Sequence, residues 1–409
     1  MVILIIYLNN YFNLIGGTSM KEIYLDNSAT TKPLPKVIEA VVDSMEINYG
    51  NPSSLHNKGL RAERIMKKAR KKIDEKLNVK NKGNIIFTSG GTECNNLALK
   101  GITENYQNRG NHIITTRVEH SSVLNVFKYL EDKGFDVTYL PVDSKGIISL
   151  NDLRQAIKET TILVSIMQVN NELGSIQPIE KAAEIIKEQN KLTFFHVDGI
   201  QSFGKIYVDP VNMGIDLFSI SGHKFHGPKG IGALYLKEGI KIPPLLHGGG
   251  QEESIRSGTE NIPGIAGLIP ALDHLPDLNQ NNNLDKKILN LKNYFLEKIK
   301  NNSEDLPDFK INTPLSSSED SAPHIVNISF AGLKGEVIVH SLENKGIYIS
   351  TGSACHSQKD DKSSVLKAID LPEEYLHGTI RISFSRFNTR KEINFLIDAL
   401  IEQLDFLCL

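Results

Sequence analysis

From Ile85 to Leu236 the chain alternates short apolar runs with stretches whose apolar residues recur at helical spacing. The runs Ile85 to Thr88, His112 to Thr115, Asp136 to Pro141, Ile162 to Gln168, Thr193 to Asp198 and Ile231 to Leu236 are strand-like; Ser122 to Lys133, Leu150 to Lys158 and Ile179 to Gln189 are helix-like. Strands that alternate with helices must be joined by crossovers, so the expected fold class is α/β, a mainly parallel sheet with helices on both faces. Ligands of such sheets sit beyond the carboxyl ends of the strands. Ahead of this region, Val37, Ala40, Val41 and Met45 mark one helix. Leu60 to Leu77 marks a second, with Ile65, Ala69, Ile73 and Leu77 on one face and a solvated run of Lys and Arg on the other.

Residues with chemistry collect where the strands end. Phe194-Phe195-His196-Val197-Asp198 closes an apolar run on a carboxylate, and His120 and Asn171 also follow apolar runs. Ile85 to Thr88 passes through Gly90-Gly91 into a helix starting near Thr92, whose free N–H groups suit a phosphate. Ser219-Ile220-Ser221-Gly222-His223-Lys224-Phe225-His226-Gly227-Pro228-Lys229-Gly230 lies between two apolar runs and has glycines that admit a ligand. Lys224 there suits a Schiff base to an aldehyde cofactor, Lys229 competes by position, and a hairpin with a merely solvated lysine is the plain alternative. Asp198 decides between these readings, because pyridoxal phosphate needs a carboxylate at its pyridine nitrogen. A phosphate cradle, a carboxylate and a lysine in this order describe one pyridoxal 5'-phosphate site.

Composition narrows the remaining classes. The 409 residues are ample for a large core, and a formal charge of −2 gives nucleic-acid binding no electrostatic support. Three scattered cysteines, Cys94, Cys355 and Cys408, form neither a disulfide framework nor a zinc site and fit the cytoplasm. His56, His196, His226, His247 and His356 lack metal-ligand spacing, so no metal is expected. Met1 to Ser19 is a poor signal peptide, too short to span a bilayer; it is expected to be a non-native or disordered extension, with Met20 the native start.

The chain resembles the cysteine desulfurases of the NifS/IscS type in the class V aminotransferase family. The motifs run from Tyr24-Leu25-Asp26-Asn27-Ser28-Ala29-Thr30-Thr31 through Gly50-Asn51-Pro52-Ser53, Glu119-His120, Val169-Asn170-Asn171-Glu172, Ser221-Gly222-His223-Lys224, Arg256-Ser257-Gly258-Thr259 and Gly352-Ser353-Ala354-Cys355 to Arg381. The resemblance implies a fold-type I enzyme: a large domain with a seven-stranded sheet over 34–276, and a smaller α+β domain from 20–33 and 277–409. It implies that Lys224 carries the cofactor and moves the substrate's Cα proton. Asp198 would hold the pyridine nitrogen, Gln201 the phenolic oxygen, and Gly91, Thr92, Ser221 and His223 the phosphate. Thr259 would reach the phosphate of the partner subunit in a homodimer. His120 would stack on the cofactor ring and shuttle protons, and Asn171 and Arg381 would bind the substrate carboxylate, with Arg386 the alternative arginine.

Cys355 lies in Ser350 to Ser364, a small-residue and charged stretch without apolar periodicity, which points to a long exposed loop. By the resemblance its thiolate attacks the sulfur of L-cysteine, leaving L-alanine and a persulfide destined for a sulfur acceptor such as an iron–sulfur scaffold. Selenocysteine lysis or transamination is the alternative within the family, and a non-catalytic binding subunit the alternative outside it. Cys94, at a helix start that would lower a thiol pKa, is expected to be packing all the same, and Cys408 to sit in a frayed terminus. Gly91 and Gly199 stand where many relatives have alanine and are expected to loosen both turns slightly. From its end near Leu409, the chain is expected to lack the longer tail that some relatives use to dock the iron–sulfur scaffold protein.

Overall fold

The computed structural model describes residues 22–315, 320–352 and 363–408. The Met1 to Ser19 extension, the Met20 start and Cys355 lie outside the described residues.

After a short β1 (Ile23–Tyr24), seven strands build the main sheet: β2 (Gly83–Thr88), β3 (His112–Thr116), β4 (Asp136–Leu140), β5 (Thr161–Met167), β6 (Phe194–Asp198), β7 (Leu217–Ser221) and β8 (Gly232–Lys237). Their order is β2-β8-β7-β6-β5-β3-β4, and only β8 runs antiparallel to its neighbours. Every residue of β5 is buried, as a parallel strand covered on both faces requires. β5, β6 and β7 end side by side at Met167, Asp198 and Ser221, which brings three chemistry-bearing loops to one edge of the sheet.

Cap chemistry sets where several helices start. His56 accepts from the Gly59 N–H, so the helix Asn57–Leu77 begins three residues before the Leu60 expected from apolar spacing. It stops at Asn78, whose φ of 56° is left-handed. The helix Ile262–His274 has no counterpart among the expected elements. It is apolar nearly all round, with Pro263 in its first turn and Pro270 inside, and so has no stripe to read. It packs against the helices Pro35–Glu46 and Asn57–Leu77.

A second core forms around the sheet β12-β10-β9, made of β9 (Phe309–Ile311), β10 (Ile325–Phe330) and β12 (Thr379–Ser383), all antiparallel. β1 pairs in parallel with β11 (Ile347–Tyr348), and Ile23 and Leu25 bury among Phe295, Ile328, Leu342 and Ile382. The last helix runs Arg390–Cys408, beyond the expected Glu392 to Leu404. Cys408 is therefore an exposed residue of a helical turn rather than part of a frayed end, because Leu404 and Leu407 pack that turn onto the second core. Among the described residues, no helix is long and apolar enough to cross a membrane.

Candidate active site

A cavity of about 360 Å³ opens where β5, β6 and β7 end. Gly91, Thr92, His120, Asn171, Asp198, Gln201, Ser221, His223, Lys224 and Arg381 all border it. These residues, scattered over most of the sequence, share one space.

Asp198 closes β6 and is buried. Its Oδ1 accepts from the Ile200 N–H at 3.0 Å and its Oδ2 from Asn95 Nδ2 at 2.8 Å. Burial nonetheless pushes the carboxyl pKa up, so the site favours a cationic N–H partner in the cavity. Asn95 also donates to Ser122 Oγ at 2.9 Å. The Ser122 N–H donates to His120 Nδ1 at 3.1 Å, leaving Nε2 to carry the proton of the neutral ring. Asn95 thus ties the carboxylate to the histidine. The sequence reading missed it; the signal was a lone amide among Cys94, Leu97 and Ala98 on a buried helix face.

The other end of the cavity suits an anion. The helix Gly91–Tyr106 starts there with free N–H groups, beside Ser221 and His223. Burial, then the charges of Lys224, Lys229 and Lys205, bring His223 down to about 4. A β-carbon on Gly91 would overlap the Ile200 side chain, and one on Gly199 would overlap the Phe218 ring. These glycines therefore do not loosen their turns: each admits a side chain packed where an alanine methyl would stand.

Lys224 sits in the short helical turn Gly222–Lys224 after β7. Its Nζ donates to the Ser28 carbonyl at 2.5 Å and the Ala29 carbonyl at 2.9 Å, both on the segment that follows β1. Gln201 Nε2 donates to the same Ser28 carbonyl at 2.9 Å. Beneath the turn, buried Lys205 donates to the Lys224 carbonyl at 3.0 Å, and burial, then the Lys224 charge, lowers its pKa to about 7. Lys229 is exposed and does not border the cavity.

Arg381 is buried on β12. Its Nη2 pairs with Asp26 at 2.7 Å, and its Nη1 donates to the Asn171 carbonyl at 2.9 Å and the Gly352 carbonyl at 3.2 Å. Arg386 instead faces Asp285 at 3.4 Å, outside the cavity. Gly352 and Ser363 are the described ends of the segment that holds Cys355. Gly352 borders the cavity, and Ser363 Oγ donates to Glu172 Oε2 at 2.6 Å on the cavity wall. Glu119, given no role in the sequence reading beyond its place in the Glu119-His120 motif, is buried beside His120, and burial raises its carboxyl to about 8. It accepts from Thr116 Oγ1 and the Met167 N–H, both at 2.9 Å.

Thr259 is exposed and does not border the cavity of its own chain. Cys94 is fully buried, with its Sγ 2.9 Å from Thr88 Oγ1, and burial pushes the thiol up to about 12. Desolvation overrides the helix start, so Cys94 is an inert packing thiol.

The aminotransferase class-V family model matches residues 23–396. The chain belongs to the class-V aminotransferase family. Within this family it is 43% identical, over 93% of its length and 94% of the relative's, to the cysteine desulfurase IscS of Clostridium botulinum. Among solved class-V folds, a NifS-like protein superposes with a TM-score of 0.85 at 39% identity, covering 94% of this chain and 100% of the other. SspA in complex with cysteine superposes with a TM-score of 0.76 at 35% identity, covering 90% of this chain and 100% of the other. The NifS/IscS-type resemblance of the motifs thus extends over nearly the whole chain.

Proposed function

We propose that this class-V protein is a homodimeric, pyridoxal 5'-phosphate-dependent cysteine desulfurase of the cytoplasm, converting L-cysteine to L-alanine and taking the sulfur as a persulfide on Cys355. The observation that carries the reading is the meeting of Lys224, Asp198, His120 and Arg381 in one cavity whose wall includes Gly352, three residues before Cys355. A segment of that length spans at most about 11 Å. The tether of the thiol therefore begins at the cavity itself. The curated cysteine desulfurases and the cysteine-bound structural relative support L-cysteine as the substrate.

The residues fit the cofactor. Asp198 is a buried carboxylate in want of a cationic N–H, the Gly91 helix start with Ser221 and His223 is a phosphate cradle, and Lys224 is an amine on the wall of the same cavity. When bound, the group supplies an electron sink for Cα chemistry. The chain supplies position and protons. Lys224 Nζ, oriented by two carbonyls that only accept, moves the Cα proton. Asn95 and Ser122 hold His120 in its Nε2–H form as a proton donor toward the departing groups. Arg381 and Asn171 bind the substrate carboxylate, and the Cys355 thiolate attacks the substrate sulfur. Thr259 completes the phosphate site of the partner subunit, and an iron–sulfur scaffold protein is the proposed sulfur acceptor.

Replacement of the thiol tests this reading. Cys355→Ser is expected to bind L-cysteine and change the visible spectrum while releasing no sulfide, since a hydroxyl is too weak a nucleophile at neutral pH. Normal alanine and sulfide release by that variant, assayed with excess dithiothreitol, would point instead to a class-V lyase that needs no protein thiol.

A further inference from the structure

His324 is fully buried, one residue before β10, and its backbone carbonyl accepts from the Phe384 N–H at 2.8 Å. It belongs to the C-terminal part of the chain, yet its Nε2 lies 3.3 Å from Oε1 of Gln201, a residue of the cavity wall. The chemistry of the neighbours fixes every hydrogen along this line. The Ser28 carbonyl can only accept, so the Gln201 NH₂ must face it, and Oε1 must face His324. Oε1 in turn only accepts, so His324 Nε2 must carry the proton. Nδ1 is left bare, and it has no partner among the described residues. A second proton at Nδ1 is opposed by burial first, then by the charges of Lys205, Lys292, Arg381 and Lys224 around it.

We propose that His324 is a positioning residue, which locks the Gln201 amide with its donor side toward the cavity and so secures the hydrogen bond to the phenolic oxygen of the cofactor. The inference rests on the cofactor reading above. One N–H of the amide is engaged by Ser28, which leaves the other for the cavity. Without a donor at Nε2 the Gln201 oxygen loses its partner, and the Ser28 carbonyl alone is left to oppose a flip of the amide that would turn its oxygen toward an oxygen ligand. The same Ser28 carbonyl receives Lys224 Nζ, so the line from His324 through Gln201 ends at the amine that carries the chemistry. The role needs a donor at one point in space and no charge, which a permanently neutral, single-tautomer imidazole supplies.

The test compares His324→Leu with His324→Gln. The amide nitrogen of glutamine reaches the place of Nε2 and can donate there; leucine fills similar space and cannot. In the holoenzyme, the visible band titrates with the proton shared between the phenolic oxygen and the lysine nitrogen joined to the cofactor. Losing a donor to that oxygen should raise the titration midpoint in His324→Leu by about one pH unit, the scale of one hydrogen bond to a charged acceptor. His324→Gln should keep the wild-type midpoint. In the protein without cofactor, ¹⁵N NMR should find His324 as the neutral Nε2–H tautomer across pH about 5 to 9. An unshifted midpoint in His324→Leu, or equal shifts in both variants, would overturn the role, as would an Nδ1–H tautomer or an imidazolium. Should His324→Leu fail to fold, the tautomer and His324→Gln decide alone. A wild-type protein that acquires no visible band would instead bring down the cofactor reading, and this inference with it.

Discussion

The floor and the rim of the cavity are built in opposite ways. The floor, comprising Asp198, Asn95, Ser122 and His120, comes from β6 and from two helices packed on the same sheet, with side chains holding side chains. The rim is stitched from distant stretches and largely through backbone: Lys224 and Gln201 meet on the Ser28 carbonyl, and Arg381 crosses 355 positions to Asp26. A floor made inside one sheet stands or falls with that core. A rim made of long-range contacts exists only once the N-terminal segment and the β12-β10-β9 unit have closed over it, so each stitch there should matter separately.

The largest effect is expected at the rim's amine. Lys224→Ala should abolish both the visible band and all activity, and borohydride reduction with peptide mapping should mark Lys224 in the wild type; label on Lys229 would place the chemistry outside the cavity. Breaking a stitch without touching the amine should cost stability. Asp26→Ala leaves the buried Arg381 guanidinium without its carboxylate, at about 3 kcal/mol in urea unfolding. A change within experimental error would mean that the carbonyls of Asn171 and Gly352 suffice to hold it.

At the floor, Asn95→Ala removes one hydrogen bond to a charged acceptor and should weaken cofactor binding about tenfold while Lys224 still forms the band. Equal loss from an Asn95→Leu variant, which keeps the volume but not the donor, would show that the lost donor, rather than volume, is responsible. Stability should also depend on pH, and the two regions should differ in window. Below the floor, His196 lies between Ser165 and Ser219, and burial holds it down at about 3 from 6.5. Between those values the unfolded chain binds more protons than the native one, so stability should fall as pH drops through this range. At the rim, Lys205 is lowered to about 7 from 10.5, so the unfolded chain binds more protons between these values and stability should rise with pH there. Melting of the cofactor-free protein against pH, with His196→Asn and Lys205→Met as controls, should flatten the acid limb in the first variant and the alkaline limb in the second.

What the sequence determined by itself is the sheet and the places where chemistry sits on it. Alternating runs forced crossovers, crossovers forced a largely parallel sheet, and Asp198, His120 and Lys224 stood out because each ends or closely follows a buried apolar run. What only the tertiary structure decided is how those side chains are held. The Ser28 and Ala29 carbonyls have no side-chain signature, since every residue carries a carbonyl, and only the folded chain brings them to Lys224. Asn95 and His324 look like ordinary polar residues until burial sets the first between Asp198 and Ser122 and the second against Gln201. The tight fit at Gly91 and Gly199 likewise depends on Ile200 and Phe218 as placed in space. Local pattern reports which residues are buried and in what element; hydrogen-bond pairing and steric fit depend on distances across the fold, which no local pattern contains.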